Sequence, residues 1–190
     1  MNPYPNSAQK RLLDIVISLL ALPFAAVAIA VGALAIFLTT GSRVFYTQRR
    51  VGKNGAEFTL LKLRTLKTTA NDDLSGMRPN DPDILWIGRF LRIWRIDELP
   101  QIWNIFTGDM SWVGPRPERP HIVQRCEQEI PNYALRHSVV PGITGWAQIH
   151  HPDATPNDNA KKLAYDLEYI EMASLSKDVL ILWKTLVAIG

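Results

Sequence analysis

The sequence predicts an α+β fold, mainly helical. It comprises an N-terminal re-entrant membrane helix, a short β-hairpin, and interfacial amphipathic helices around a small globular domain. Three observations predict it. Residues Ile15 to Leu38 form a run of 24 residues without a formal charge. Two stretches with aromatic and β-branched residues flank "GKNG", a turn signal. Much of the remainder repeats its apolar residues at helical spacing, with basic residues beside tryptophans.

At 190 residues the chain suits one domain with a modest core. Its formal charge of +3 matters less than the placing of that charge, because basic residues flank the apolar run. The single cysteine, Cys126, excludes an internal disulfide and a cysteine metal site, and it suits a reducing compartment. The chain has no internal repeat, and nothing in it resembles a nucleic-acid-binding motif.

The apolar run is long enough to cross about 30 Å of hydrocarbon as a helix. It is too long for the core of a signal peptide, and it lacks the polar face of a soluble core helix. Lys10 and Arg11 precede it, and Arg43, Arg49, Arg50 and Lys53 follow it. By the positive-inside bias both ends stay in the cytoplasm. Pro23 removes a backbone donor mid-run and predicts a kink. Two basic flanks and a central kink favour a helix that enters one leaflet and returns; the alternative is a plain span that tolerates the proline.

Two short strands are predicted around "GKNG", with Val44 and Tyr46 in one and Phe58 and Leu60 in the other. Lys62 and Arg64 alternate at the end of the second, hence on one face, as a solvated edge or as anion ligands. Thr68 to Asp83 reads as a loop. "ILWIGRFLRIWR" places Arg89, Arg92 and Arg95 at every third position, with Trp86, Phe90 and Trp94 opposite, the pattern of a helix in a membrane interface. "VVPGITGWAQI" reads as a structured loop with an extended end. "NDNAKKLAYDLEYIEMASL" is predicted helical, with Leu163, Leu167 and Ile170 on one face. "DVLILWKTLVAIG" is apolar, contains Lys184 and is too short to span.

The chemistry centres on "RIDELPQIWNIFTGDMSWVGPRPERP". Pro100 is tolerated in a first helical turn, so a helix start is placed near Asp97. Adjacent helical residues point about 100° apart, so Asp97 and Glu98 serve different atoms: one attacks or takes a proton, the other binds a cation. Arg92 and the proline-flanked Arg116 suit phosphate, since guanidinium binds it through paired hydrogen bonds. Carboxylates, arginines and a divalent metal together point to phosphoryl chemistry, with magnesium held by few carboxylates and the substrate's phosphates. Glycoside hydrolysis also uses two carboxylates, but they face each other across several ångströms, which sequence neighbours do poorly.

"KRLLDI", "QRRVGKNGAEFTLLKLRTL", "IGRFLRIWRIDELPQIWNIFTGDMSWVGPRPERP" and "PGITGWAQI" stand in the order of a known family. The chain resembles the catalytic domain of bacterial polyprenyl-phosphate glycosyl-1-phosphate transferases, the monotopic phosphoglycosyl transferases, over nearly its whole length. The resemblance implies transfer of a sugar 1-phosphate from a UDP-sugar to polyprenyl (undecaprenyl) phosphate, giving a polyprenyl-diphosphate sugar and UMP. This is the first membrane step of exopolysaccharide, capsule or O-antigen (lipopolysaccharide) assembly. It implies Asp97 as the nucleophile of a phosphosugar–aspartyl intermediate and Glu98 as the Mg2+ ligand. Arg92 would bind the polyprenyl phosphate and Arg116 a substrate phosphate, with Lys62 and Arg64 lining the same site.

The family fold implies a re-entrant helix broken at Pro23. Residues 1–40 would form that helix and residues 41–190 a cytoplasmic catalytic domain on the membrane surface, the two acting as one unit. In many small members a serine precedes the proline; here Leu22 does. The implied location is the cytoplasmic face of the bacterial inner membrane. A homodimer and the later glycosyltransferases of the pathway are further partners the resemblance admits. The match begins almost at Met1, which reads as a minimal member. The stretch after Arg116 favours glucose or galactose 1-phosphate, with N-acetylhexosamine the alternative. His150 and His151, adjacent after "WAQI", are placed either near the substrate or in a polar loop, while Asp166 and Tyr169 match family positions without an assigned role.

Overall fold

The computed structural model describes residues 2–41, 43–67, 83–152, 155 and 158–189. The loop expected over 68–83 therefore lies, apart from Asp83, outside the described residues.

The apolar run is the body of helix α1, Ala8–Thr40, which Ser7 caps by accepting from the Lys10 N–H. It continues through Pro23 without a break in secondary structure and ends on Gly41, whose φ of 59° is left-handed. At 1.5 Å per residue the helix is about 50 Å long. Its buried residues, Lys10, Asp14, Ser18, Ala25, Gly32 and Ile36, repeat at intervals of four and seven, a single stripe. Leu20, Phe24, Val27, Val31 and Leu38 lie bare around the rest of its circumference.

Both ends of α1 rest on the same globular body. Near the N-terminus, Lys10 Nζ lies 2.7 Å from Asp178 Oδ2 and 3.5 Å from Asp14 Oδ1. Tyr4 and Tyr169 hydroxyls also donate to Asp178, at 3.0 and 2.8 Å. Asp14 Oδ1 accepts from Ser111 Oγ and the Trp112 N–H, and Trp112 Nε1 donates to Ser18 Oγ. Near the C-terminus, Ile36 packs with Leu63 and Leu91. A Cβ on Gly32 would stand 3.0 Å from the Leu63 side chain, so glycine permits the close approach there.

Strands β1 (Phe45–Val51) and β2 (Glu57–Leu63) pair antiparallel, with Arg50 opposite Phe58 and Tyr46 opposite Lys62. Asn54 and Gly55 turn the hairpin at positive φ, as "GKNG" predicts. Arg64 lies one residue past β2, where its N–H still donates to the Val44 carbonyl.

Helix α2 spans Trp86–Ile93; a 3₁₀ turn, Ile96–Gln101, leads into α3, Ile102–Thr107. Strand β3 (Ser111–Val113) pairs parallel with β4 (Gly142–Thr144). Helix α4 is Pro120–Glu129, α5 Trp146–His150, α6 Asn159–Met172 and α7 Leu175–Ile189. The stretch "VVPGITGWAQI", read as a structured loop with an extended end, thus holds a strand and most of a short helix. Its pairing partner is some thirty residues away, so no local pattern announces it.

The arginine stripe of α2 is interrupted. Arg95 stands beyond the helix in the left-handed region, and Arg92 turns to Thr65. Trp86, Phe90, Ile93 and Trp94 are exposed, as are Trp103, Val179, Trp183, Leu186 and Val187. Exposed apolar surface on this scale marks an interaction face.

Asp178 is the shared acceptor for Lys10 at the start of α1, Tyr4 before it and Tyr169 of α6. Asp178→Ala leaves the Lys10 ammonium buried and under-paired, and is expected to cost about 3–5 kcal/mol. Thermal melting of the detergent-solubilised protein measures this. The double variant Lys10→Met/Asp178→Leu is expected to melt above Lys10→Met alone, because one buried carboxylate, Asp14, is then left without its cation instead of two.

Candidate active site

The chain delivers its acid pair through two backbone devices. Gly88 lets α2 lie against the chain leaving β2; a Cβ there would stand 2.5 Å from the Thr65 carbonyl oxygen. Thr65 Oγ1 in turn accepts from Arg92 Nε at 2.8 Å, which aims Arg92 at the site. Arg95, at φ 55°, then ends α2 and redirects the chain into the 3₁₀ turn. Pro100 is accommodated in this turn.

Asp97 and Glu98 are 7% and 6% exposed, yet their surroundings differ. Glu98 Oε1 accepts from Lys62 Nζ and from Arg116 Nη2, each at 2.7 Å. Its Oε2 lies 3.7 Å from Arg95 Nη1. Burial alone would raise the Glu98 carboxyl, but Arg116 and then Lys62 hold it well below the usual carboxylate range. Asp97 Oδ1 is buried and accepts no hydrogen bond among the described residues. Burial, and then the charge of Glu98, push Asp97 up to about 6 against the pull of Lys62, Arg92 and Arg116.

Arg116 is placed by residues far along the chain. Its carbonyl accepts from Arg136 Nη2 at 3.0 Å. Arg136 is itself buried in an ion pair with Asp166 at 2.7 Å and donates to the Tyr133 hydroxyl. Both would pass in sequence as ordinary helix charges; only the pairing shows their role.

The structure thus brings Asp97, Glu98, Lys62, Arg92 and Arg116 together. Arg64 is buried beside Thr65, but the ion pairs and hydrogen bonds described for Glu98 come from Lys62, Arg95 and Arg116. His150 stacks between Trp146 and Tyr165, and His151 lies 3.6 Å from Asp158, so both belong to the α5–α6 surface. Tyr169 serves the Asp178 node. Pro23 lines an apolar groove of about 570 Å3 between α1 and α2, with Phe24, Val27, Gly32, Phe90 and Ile96. Ile96 connects that groove directly to Asp97.

A hairpin and helices thus surround a buried acid pair with Lys62, Arg92, Arg95 and Arg116 about it, near an apolar groove. The chain belongs to the bacterial sugar transferase family, whose profile matches residues 5–190.

Among its relatives is the UDP-N-acetylgalactosamine-undecaprenyl-phosphate N-acetylgalactosaminephosphotransferase of Aeromonas hydrophila. It is 38% identical over 179 residues, 93% of this chain and 42% of that protein. The UDP-glucose:undecaprenyl-phosphate glucose-1-phosphate transferase of Escherichia coli K12 is 39% identical over 184 residues, 95% of this chain and 40% of that one. The enzyme of the same name from Caulobacter vibrioides is 36% identical over 190 residues, 96% of this chain and 71% of its own length. The chain therefore spans about two fifths of the first two relatives.

The raised Asp97 value carries a sign that can be measured. The folded protein holds the proton more tightly than the unfolded chain, so this contribution to stability is present at low pH. It is lost as pH rises from about 4 through about 6. Asp97→Asn is expected to raise the melting temperature of the metal-free protein at pH 8 and leave it nearly unchanged at pH 4. Lys62→Met, which removes an opposing cation, moves the Asp97 titration upward when followed by carbon NMR of labelled aspartate.

Proposed function

We propose that the chain transfers a sugar 1-phosphate from a UDP-sugar to undecaprenyl or a similar polyprenyl phosphate, releasing UMP. One observation carries this reading: the acid pair, with its cations, follows directly on Ile96, which lines the apolar groove between α1 and α2. A lipid phosphate has both parts, a charged head and a long apolar tail. The names of the relatives point the same way.

In this reading an Asp97 carboxylate oxygen attacks the sugar-bearing phosphorus of the donor. The bond from that phosphorus to the UMP oxygen breaks, and UMP leaves with the electron pair. The polyprenyl phosphate oxygen then attacks the same phosphorus, the aspartyl–phosphorus bond breaks, and the Asp97 carboxylate is restored. Two easier displacements replace one. Arg116 and Lys62 face the transferred phosphate, and Arg92 the lipid phosphate. Asp97 suits attack because its Oδ1 has no donor to release first.

The donor set fits magnesium. Magnesium takes one or two carboxylates and completes its shell with water and substrate phosphates. Glu98, held well below the usual carboxylate range, is such a ligand through Oε2, which lies 3.7 Å from Arg95 Nη1. A magnesium ion bound at Glu98 would neutralise charge on the phosphates.

The same reading places the protein on the cytoplasmic face of the inner membrane. Residues 1–40 form a re-entrant helix bent at Pro23, and 41–190 the catalytic domain. Support comes from the contacts of α1 with that domain near both of its ends, whereas a helix leaving to cross the bilayer keeps contact at one end. Glucose, galactose or an N-acetylhexosamine is the sugar, and a glycan of the exopolysaccharide or lipopolysaccharide kind is the pathway product.

Two measurements test this. With a panel of UDP-sugars, polyprenyl phosphate and magnesium, UMP release is expected for at least one sugar. Asp97→Asn should lower that rate by about a thousandfold or more, and full activity in this variant would sink the nucleophile assignment. For topology, a cysteine placed before Leu12 and one after Thr40 should both resist a periplasmic thiol reagent. Labelling of either from outside would replace the re-entrant helix with a span.

A further inference from the structure

Strand β1 and the segment after β3 enclose a small polar cleft beside the acid pair. Arg50, Leu60, Lys62, Gln101, Arg116 and Pro117 line it. The reaction above assigns no role to Arg50 or Gln101. Arg50 is fixed in place: Nε and Nη2 donate to Gln48 Oε1 at 3.0 and 2.6 Å, and Nη1 donates to the Pro117 carbonyl at 2.8 Å. Gln101 is 2% exposed, and its Nε2 finds no acceptor among the described residues. A buried amide donor without a partner is costly, which makes it a sign of an absent acceptor.

Charge points to the same kind of ligand. Lys62 and Arg116 share one oxygen of Glu98, so a single carboxylate answers two cations. Glu118 is 3.8 Å from Arg50 and is bonded more closely, at 3.0 Å, by Lys162. Burial and then the Arg116 charge push the Arg50 guanidinium down to about 10, the mark of cations held together out of water. An anion entering the cleft relieves that repulsion. The interior, about 10 Å3, admits roughly one oxygen-sized group. A phosphoryl oxygen enters it while the rest of the group stays at the mouth.

Position decides which phosphate. Lys62 and Arg116, the two partners of Glu98, line the cleft, but Asp97 does not, and Arg50 stands opposite Phe58, four residues along β1 from Tyr46, the partner of Lys62. A phosphate held there lies beside the attacking carboxylate rather than on it, and in-line displacement puts the leaving group on the side away from the nucleophile. Taking the proposed reaction as given, we propose that Arg50 and Gln101 bind the phosphate that stays with the nucleotide. Gln101 Nε2 donates to one of its non-bridging oxygens, and Arg50 faces its charge. Arg116 then lies between the two donor phosphates.

The full chain in lipid nanodiscs serves for the test, with UMP and inorganic diphosphate as binding probes. Gln101→Glu sets a negative charge in the cleft at nearly constant volume, and Gln101→Met removes the donor where the first variant does not fold. Arg50→Lys keeps charge but loses the planar fork. Each is expected to weaken UMP binding about tenfold or more and to raise KM for the UDP-sugar similarly, with KM for polyprenyl phosphate within about twofold. Unchanged UMP affinity overturns the assignment, and so do parallel rises in both KM values, which would make these residues structural. A wild-type chain that releases no UMP, but binds diphosphate in a way Gln101→Glu abolishes, would sink the reaction and leave the anion cleft standing. A wild-type chain that turns over normally, with variants to match, would do the reverse.

Discussion

The ammonium of Lys10 and the carboxylate of Asp178 meet at 2.7 Å with both side chains buried, one at the start of the long apolar helix α1 and the other in α7. Taking two such charges out of water costs several kcal/mol per ion, and attraction alone seldom offsets it. Here the neighbours supply the balance. Tyr4 and Tyr169 donate to Asp178, and Ser111 and the Trp112 N–H donate to Asp14. Ser111 opens β3, so the node also anchors the strand that leads to Arg116. Arg11, the next residue of α1, donates to the carbonyls of Ile105 and Phe106 in α3, the helix that continues from the acid pair. The depth of the reacting groups relative to α1 is thereby set by polar contacts of its first turns.

With α1 held along the domain, the bare apolar residues acquire a common explanation. Phe24, Trp86, Trp103 and Trp183 lie on α1, α2, α3 and α7, and each is more than half exposed. A water-soluble domain would cover such residues; with the lipid-phosphate substrate proposed above, they would lie in the bilayer surface. The groove between α1 and α2 then lies where an apolar chain would fit, and Arg92 follows directly on Leu91, which lines it.

Much of this was legible in the sequence, because the signals are local. The charge-free run, the turn at Asn54–Gly55 and the helical spacing of Leu163, Leu167 and Ile170 each depend on near neighbours. Asp97, Glu98, Arg92, Arg116 and Lys62 were legible because their residue types are chemically suited to phosphate, and the structure brings them together. The hidden parts are long-range. The parallel pair β3–β4 joins two three-residue segments with no pattern of their own. Arg136 and Asp166 look like helix-surface charges until they are seen buried against each other under the Arg116 carbonyl. Lys10 and Asp14 stand four apart before the apolar run, the one local hint of a buried node. Gln101 sits among aliphatic residues, where nothing marks its unanswered donor.

The register of the 3₁₀ turn decides which acid does what. Successive residues of such a turn project about 120° apart, so Asp97 and Glu98 cannot share an environment. Glu98 meets the hairpin and the Arg116 loop, where two charge-assisted bonds occupy one of its oxygens and spread its charge into the cations. A carboxylate so engaged is a weak nucleophile and a firm electrostatic anchor. Asp97 points away from those donors and keeps an oxygen with no bond to surrender. A slip of one residue would exchange the two environments. Arg95 opposes that slip: its positive φ ends α2 at a fixed point, and its carbonyl accepts the Glu98 N–H at 3.2 Å. Pro100 opposes it from the other side, since it has no N–H to offer a different hydrogen-bonding register. In the proposed reaction the different roles of the two carboxyl groups follow from this backbone geometry.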